Sequence, residues 1–169
     1  MTDLEIKTVT QLLKKLEPGL LPFSIFNEIT RIFVASIVEI VPLKKKNGVT
    51  QVLLVRREAD DPFWPNMWHT PGTVLRATDR KGDLDDAFKR ILNNELGCTE
   101  EMKPIFVDIR FSQSTRGSEF SAIYYVDMVA ETKIGEWFDT NSLPQDLVKS
   151  QGELIKKAVD GFEEKQKTN

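Results

Sequence analysis

The sequence predicts an α/β (α+β) layered domain that follows an N-terminal helical extension. Apolar residues recur at helical spacing over residues 4–16 and 24–31, before any strand pattern begins. Stretches rich in β-branched residues then alternate with two further helical stretches. The order is helices, hairpin, loop, helix, strands, strand and helix, which is typical of helices layered on a sheet. We predict the extension over residues 1–32, the domain over residues 33–163 and a tail over residues 164–169.

The extension carries two predicted helices. Pro18-Gly19 ends the first, and Ser24 is the expected N-cap of the second. The apolar stripe of these helices must be covered either by the core of the chain or by a partner subunit. A homodimer is therefore expected.

The predicted domain begins with a strand over residues 33–43 and a second over residues 51–57, joined by a turn at Asn47-Gly48. Residues 60–72 are proline-rich and predict a structured loop. A helix is expected over residues 84–96, because Gly97 ends its pattern. Strands follow over 104–112 and 119–129, around a turn at 114–117, and a short strand contains Glu136. The final helical region is expected from Asn141 to about Glu163.

Composition excludes several classes of protein. The chain has 169 residues, 40% of them hydrophobic and 29% charged, with a formal net charge of −3. A general nucleic-acid or membrane-surface binder would carry excess Lys and Arg, so neither partner is expected. The single cysteine, Cys98, cannot form an internal disulfide and is expected to be buried. The acidic start is unlike a signal peptide, and a cytoplasmic location is expected.

One segment carries most of the functional information. It runs Trp68-His69-Thr70-Pro71-Gly72-Thr73 and continues through residues 82–98. It resembles the Nudix family, in which a Trp-x-x-Pro-Gly-Gly loop precedes a helix with the pattern G-x5-E-x7-R-E-U-x-E-E-x-G-U, where U is apolar. Residues 52–57, 135–138 and 143–144 resemble other family features in the same order, so the resemblance spans residues 33–160.

The resemblance implies a Nudix-like α/β/α sandwich with a mixed sheet. It also implies a pyrophosphohydrolase of nucleoside diphosphate-linked compounds that uses Mg²⁺ or Mn²⁺. The residues that match the helix pattern are Arg90, Leu92, Glu95, Gly97 and Cys98.

Two departures weaken the metal site. Ile91 and Asn94 stand where the family has glutamates, and the upstream glutamate falls on Gly82 or Asp83. Positions 91, 94 and 95 have the spacing i, i+3, i+4 and would share one helix face. A hard cation needs oxygen ligands, and here that face offers one carboxylate and one amide. We therefore expect a degraded metal site made by Glu95 and Asn94.

The candidate catalytic residues are Glu95 and Glu119. Glu95 is either a metal ligand or a helix residue paired with solvent or arginine. Glu119 lies in the strand after the 114–117 turn and could serve as the base, since some family members take their base from outside the helix. The resemblance gives Gly72, Arg90 and Asp83 structural roles, with Asp83 the expected partner of Arg90. The alternative is a pair between Asp86 and Arg90.

The candidate substrate-binding residues are Arg56, Arg57, Trp68 and His69. Arg56 and Arg57 alternate across a strand, so one can reach phosphate while the other faces outward. Trp68 could stack on a base, or it could anchor the loop on the core. His69 could contact phosphate or pack in the interior.

Three functions remain open from the sequence. The chain is a metal-dependent hydrolase, a silent module that binds a small nucleotide-type ligand, or a homodimeric interaction protein. The fold alone cannot choose between them.

Overall fold

The computed structural model describes residues 1–80, 84–98, 100, 102–128, 132 and 134–168. Two helices come first, α1 (Asp3–Leu13) and α2 (Phe23–Ile32), followed by strands β1 (Ala35–Lys46), β2 (Val49–Arg56), β3 (Trp68–His69) and β4 (Gly72–Val74). Helix α3 (Asp85–Arg90) continues directly into a π-helical turn, Ile91–Glu95. Strands β5 (Ile105–Ser114), β6 (Gly117–Asp127) and β7 (Glu136–Asp139) precede the last helix, α4 (Gln151–Thr168).

The seven strands form one mixed sheet, in the order β3-β2-β1-β6-β5. Strand β1 is central: it pairs antiparallel with β2 and with β4, and parallel with β6. Strand β7 adds to β2 at the same edge as β3. The predicted mixed sheet is confirmed.

Alternate residues of β1 face two different helical layers. Val38 and Ile40 pack on the side of α3 and the π-helical turn, whereas Val41 and Leu43 pack on the side of α4. All four are fully buried, because both faces of the central strand are covered. The predicted α/β/α sandwich with an N-terminal helical extension is therefore confirmed.

Two turns follow their predictions. Asn47 and Gly48 join β1 to β2 with φ of 52° and 82°, the left-handed conformation that a two-residue hairpin requires. The β5–β6 turn ends at Gly117, whose φ is 126°. A Cβ at Gly117 would lie 2.5 Å from the Thr30 carbonyl oxygen, so the missing side chain allows α2 to approach this hairpin.

Several predicted boundaries were wrong. Helix α2 has Pro22 at its N-cap with no side-chain hydrogen bond, so Ser24 is not the cap. The loop over residues 60–72 contains β3, which pairs with β2.

Helix α4 begins at Gln151 instead of Asn141, because residues 144–150 carry a turn and a bridge from Leu147 to Trp68. It continues to Thr168, so most of the predicted tail is helical. The domain boundaries at residues 32 and 163 stay predictions.

Helix α1 is well formed but buries nothing. Thr2 and Glu5 make a capping box at its start. Every residue of the helix is exposed, including five apolar ones. No helix among the described residues is long and apolar enough to cross a membrane.

Candidate functional site

The candidate site is a cleft between the loop that carries β3 and β4, the edge of the sheet at β5 and β6, and the start of α4. Its volume is about 60 Å³. It is lined by Ile37, Glu39, Arg57, Trp64, His69, Thr70, Gly72, Arg110, Arg116, Glu119, Ser150 and Gln151. We call this set the cleft.

A buried carboxylate, Glu39 on β1, organises one wall of the cleft. Its oxygens accept hydrogen bonds from Arg110 Nη2 at 3.3 Å and from Gln151 Nε2 at 3.1 Å. Gln151 Oε1 in turn accepts from the Thr70 backbone N–H and hydroxyl. This network ties the first residue of α4 and the loop before β4 to the central strand, and it neutralises the Glu39 charge, which would be costly unpaired.

A second carboxylate, Glu119 on β6, is also buried and paired. Arg116 donates to it from Nε at 2.9 Å, its Nη2 lies 2.7 Å from the same oxygen, and the Ser114 hydroxyl lies 3.2 Å away. The guanidinium of Arg116 lies 5.5 Å from the centre of the Trp64 ring, and that of Arg57 lies 5.2 Å from it. Glu119 therefore lies in the cleft, as predicted, but is held by an arginine.

Two buried polar atoms near this network lack a partner. Arg110 Nε and Ser121 Oγ are buried without a hydrogen bond among the described residues. The two residues are paired directly across β5 and β6. Arg110 lines the cleft, and its side chain is 9% exposed. A buried donor without a partner is costly, so these two atoms are unfavourable features of the cleft wall.

Glu95 is the last residue of the π-helical turn, and its side chain contacts Gly72, one of the residues that line the cleft. Its Oε2 accepts a hydrogen bond from the backbone N–H of Gly72 at 3.1 Å. Burial raises the pKa of Glu95 from 4.5 to about 7, against the opposing effects of the Gly72 N–H and the Arg57 charge. At neutral pH a large share of this carboxyl group is therefore uncharged.

The expected ligand face of the helix is not formed. Ile91 is fully buried in the core between the sheet and α3, and Asn94 is exposed. The segment is π-helical, with a Leu96 N–H to Ile91 carbonyl bond of 3.3 Å that spans five residues. The wider turn breaks the i, i+3, i+4 alignment on which the prediction rested. The metal role of Asn94 is not supported, because its side chain does not accompany Glu95 to the cleft.

The two arginines at the end of β2 separate as their alternation predicted. Arg57 lines the cleft and pairs with Asp61 at 2.5 Å. Arg56 points elsewhere: it pairs with Asp146 at 3.0 Å and lies over the Trp68 ring. Arg56 is therefore not a cleft residue.

The aromatic candidates also separate. Trp68 is 6% exposed and packs against Phe138 in the core, so the anchoring alternative is correct and its predicted ligand contact is wrong. Trp64 lines the cleft instead. His69 lines the cleft too, where burial and the Arg57 charge lower its pKa from 6.5 to about 4. His69 is consequently neutral at physiological pH.

Arg90 keeps a structural position but has a different partner. Its guanidinium pairs with Asp79 and donates to the Val74 carbonyl oxygen at 3.3 Å. This contact fixes the segment between β4 and α3. Asp83, the expected partner, lies outside the described residues, and Asp86 pairs with Arg80. A Cβ at Gly72 would lie 3.1 Å from the Val38 carbonyl oxygen, and the structural role of Gly72 stays a prediction.

The donor set does not fit a divalent ion. Among the described residues, no group of three or more His, Cys, Asp or Glu side chains lies close enough to hold a metal. Glu39 and Glu119 are each engaged by an arginine, and Glu95 faces a backbone N–H. Mg²⁺ would require several free, charged oxygen ligands at one point.

Sequence reasoning missed Glu39, Arg110 and Gln151 as cleft residues. Glu39 had a visible signal, since a lone charge inside an apolar strand is almost never buried unless paired. Arg110 and Gln151 had none, because only the sheet register and the position of α4 bring them to Glu39.

Comparison with solved structures identifies the fold. A mutT/nudix family protein from Listeria innocua is similar with a TM-score of 0.62 and 18% identity, over 80% of this chain and 98% of that one. The NUDIX domain of Shewanella oneidensis NrtR, solved with ADP ribose, gives a TM-score of 0.61 and 18% identity, over 96% of this chain and 99% of that one. A longer NrtR chain, solved with a 27mer DNA, is similar with a TM-score of 0.57 and 20% identity, over 76% of this chain and 62% of that one.

A further neighbour is a C. elegans Ap4A hydrolase binary complex, with a TM-score of 0.57 and 16% identity, over 76% of this chain and 97% of that one. No family model matches the sequence, and no curated protein matches it either. The structural likeness agrees with the resemblance carried by residues 68–98. The chain has the Nudix fold.

Proposed function

We propose that the protein is a binding module for a nucleoside diphosphate-linked ligand of the ADP-ribose kind, and that it holds the ligand without a divalent metal. The observation that carries the proposal is that both cleft carboxylates, Glu39 and Glu119, are held by arginines. In a metal-dependent site those carboxylates would be turned to the ion. Here each of these carboxylates faces a guanidinium group instead.

The arginines keep capacity for an anion. A guanidinium has five N–H donors, and its geometry suits bidentate contact with phosphate. Arg110 uses one N–H of Nη1 on the Ser150 carbonyl oxygen and one N–H of Nη2 on Glu39, so each of these nitrogens has a second N–H. A phosphate oxygen in the cleft could accept a hydrogen bond from these N–H groups.

The two titratable groups beside the arginines favour an anion as well. Glu95 has a pKa near 7, so its carboxyl group repels phosphate less than an ordinary glutamate would. His69 is neutral and can offer a ring N–H. The ADP ribose complex of one neighbour, and the Ap4A hydrolase name of another, support a diphosphate-linked nucleotide as the ligand class.

A ligand panel tests the proposal. ADP-ribose, a dinucleoside polyphosphate and inorganic diphosphate are titrated in EDTA while the melting temperature is followed. ADP-ribose should raise it in wild-type protein and in Arg80→Gln, an exposed control, but not in Arg116→Gln or Arg110→Gln. Equal stabilisation of all four proteins would overturn the proposal.

A hydrolase is the second candidate, and one observation favours it. A carboxyl group with a pKa near 7 suits a general base at neutral pH, and Glu95 is such a group. Turnover is measured with Mg²⁺ or Mn²⁺ as release of a nucleoside monophosphate from the same panel. If release of the monophosphate depends on the metal and is abolished by Glu95→Gln, the protein is a hydrolase and the binding proposal is wrong. The catalytic role of Glu119 and the exclusion of nucleic acid as a partner stay predictions.

A further inference from the structure

Helix α1 presents an apolar side that nothing in its own chain covers. Val9, Leu12 and Leu13 are 44%, 56% and 50% exposed, and all eleven residues of the helix are exposed. Gln11 lies on the opposite, polar side at helical spacing. A helix this short is marginal in water unless it packs on something. Its capping box stabilises the start but cannot replace packing.

The same chain carries an unfilled apolar groove of about 900 Å³. One wall is α2 with the segment before it, and the other is β4 with the residues after it. Phe26, Phe33 and Leu75 are among its apolar lining residues. Gly72 and Arg116 line both the groove and the cleft.

The helix and the groove match in size. An eleven-residue α-helix is about 16 Å long and about 10 Å across, so half of it occupies about 600 Å³. This volume fits within the groove. The half-cylinder, enlarged by a water radius, presents about 330 Å². Two helices in two grooves would remove about 1,200 Å² from water, at the lower end of the range of specific interfaces, about 1,200–2,000 Å².

Charges at the two surfaces are complementary. The first turn of α1 carries Asp3 and Glu5, and the groove lining is free of Asp and Glu but contains Arg76, besides Arg116, which pairs with Glu119. A helix that enters with its acidic turn toward Arg76 places opposite charges together. Such complementarity fixes orientation more than it adds affinity.

We propose that two copies of the chain exchange these helices, so that α1 of each copy lies in the groove of the other. The contact is reciprocal, and it forms a closed two-fold dimer. Because Gly72 and Arg116 line both the groove and the cleft, the helix from the second copy lies next to the cleft. The inference stands on the surfaces alone and does not depend on which ligand the cleft binds.

Sedimentation equilibrium of the full chain, from about 1 to 200 μM, tests the dimer. Wild type should be dimeric at the upper end of this range, and Gln11→Lys should match it. Val9→Lys with Leu12→Lys should weaken the dimer at least tenfold. These side chains are exposed in the single chain, so the variant keeps its fold, which circular dichroism checks. A wild type that stays monomeric at 200 μM would overturn the proposal.

The groove is tested from its own side. Phe33 is 68% exposed, so Phe33→Lys changes the groove with little effect on the fold. This variant should also be monomeric at concentrations where wild type is dimeric. A dimer that Phe33→Lys leaves intact would mean that the two α1 helices pair with each other, and the proposed contact would be wrong.

A mixture separates reciprocal exchange from other arrangements. The α1 variant keeps an intact groove, and Phe33→Lys keeps an intact α1, so a mixed dimer retains one of the two contacts. The mixture should therefore form heterodimers although each variant alone is monomeric. Phe111, on an exposed strip of β5, supplies a further control. Dissociation by Phe111→Lys, with no heterodimer in the mixture, would place the interface on the sheet and overturn the proposal.

Discussion

Replacing Glu95 with glutamine should stabilise the protein, by an amount that grows with pH. The carboxyl group is uncharged in the folded protein up to a pKa near 7, whereas its ordinary pKa is 4.5. Folding therefore takes up a proton between these values, and stability contributed by the neutral group is lost as pH rises toward 7. The difference of about 2.5 in pKa corresponds to about 3 kcal/mol, at 1.36 kcal/mol for each pKa unit.

His69 acts in the opposite direction over part of the same range. Its pKa falls from 6.5 to about 4, so its contribution to stability increases as pH rises from 4 to 6.5. The wild-type profile alone therefore mixes two opposing effects. The difference between Glu95→Gln and wild type isolates Glu95, because His69 is present in both. Glutamine keeps an oxygen that can accept the Gly72 N–H.

Urea unfolding of both proteins from pH 4.5 to 8, followed by tryptophan fluorescence, measures this difference. It should be near zero at pH 4.5 and rise to about 3 kcal/mol in favour of the variant above pH 7. A difference that does not change with pH, or a variant less stable than wild type at pH 8, would refute the reasoning. A metal bound at Glu95 would produce the second result when Mg²⁺ is present, since the charged carboxylate would then be stabilised.

Two further predictions concern stability. Asp79→Asn should destabilise the fold by about 3 kcal/mol, because it leaves the mostly buried guanidinium of Arg90 without its charged partner. Asp86→Asn, in an exposed ion pair, should cost much less in the same urea assay, and equal effects would contradict the assignment. Gly135→Ala should lower the melting temperature strongly, because φ is 85° and the new Cβ would lie 2.5 Å from a carbonyl oxygen of β2. Gly152→Ala, in α4 with no atom within 4 Å of the new Cβ, should be neutral or stabilising, and a loss of stability there would contradict the structure.

The fold could be predicted from local patterns because most elements have local causes. The hairpin at Asn47-Gly48 follows from turn chemistry, and β1 follows from its β-branched residues. The start of α4 could not be placed in the same way. Asn141 opens a polar stretch that resembles a helix start, but tertiary contacts to Trp68 hold residues 146–148 extended until Gln151.

The site was only partly predictable for the same physical reason. Arg57, His69 and Glu119 reach the cleft by strand alternation and by their place in the motif. Trp68 and Asn94 carried the same kind of motif evidence and were misplaced. Trp68 is buried because it packs against Phe138, which is distant in sequence. The orientation of Asn94 depends on the change from α-helical to π-helical turns.

Isothermal titration of ADP-ribose into the protein tests most directly whether the arginines of the cleft take the place of a metal. The titration is made once in EDTA and once in about 5 mM Mg²⁺. The same dissociation constant in both buffers, with affinity lost in Arg110→Gln, is the predicted result. Binding that appears only with Mg²⁺ and is unchanged in Arg110→Gln would contradict it.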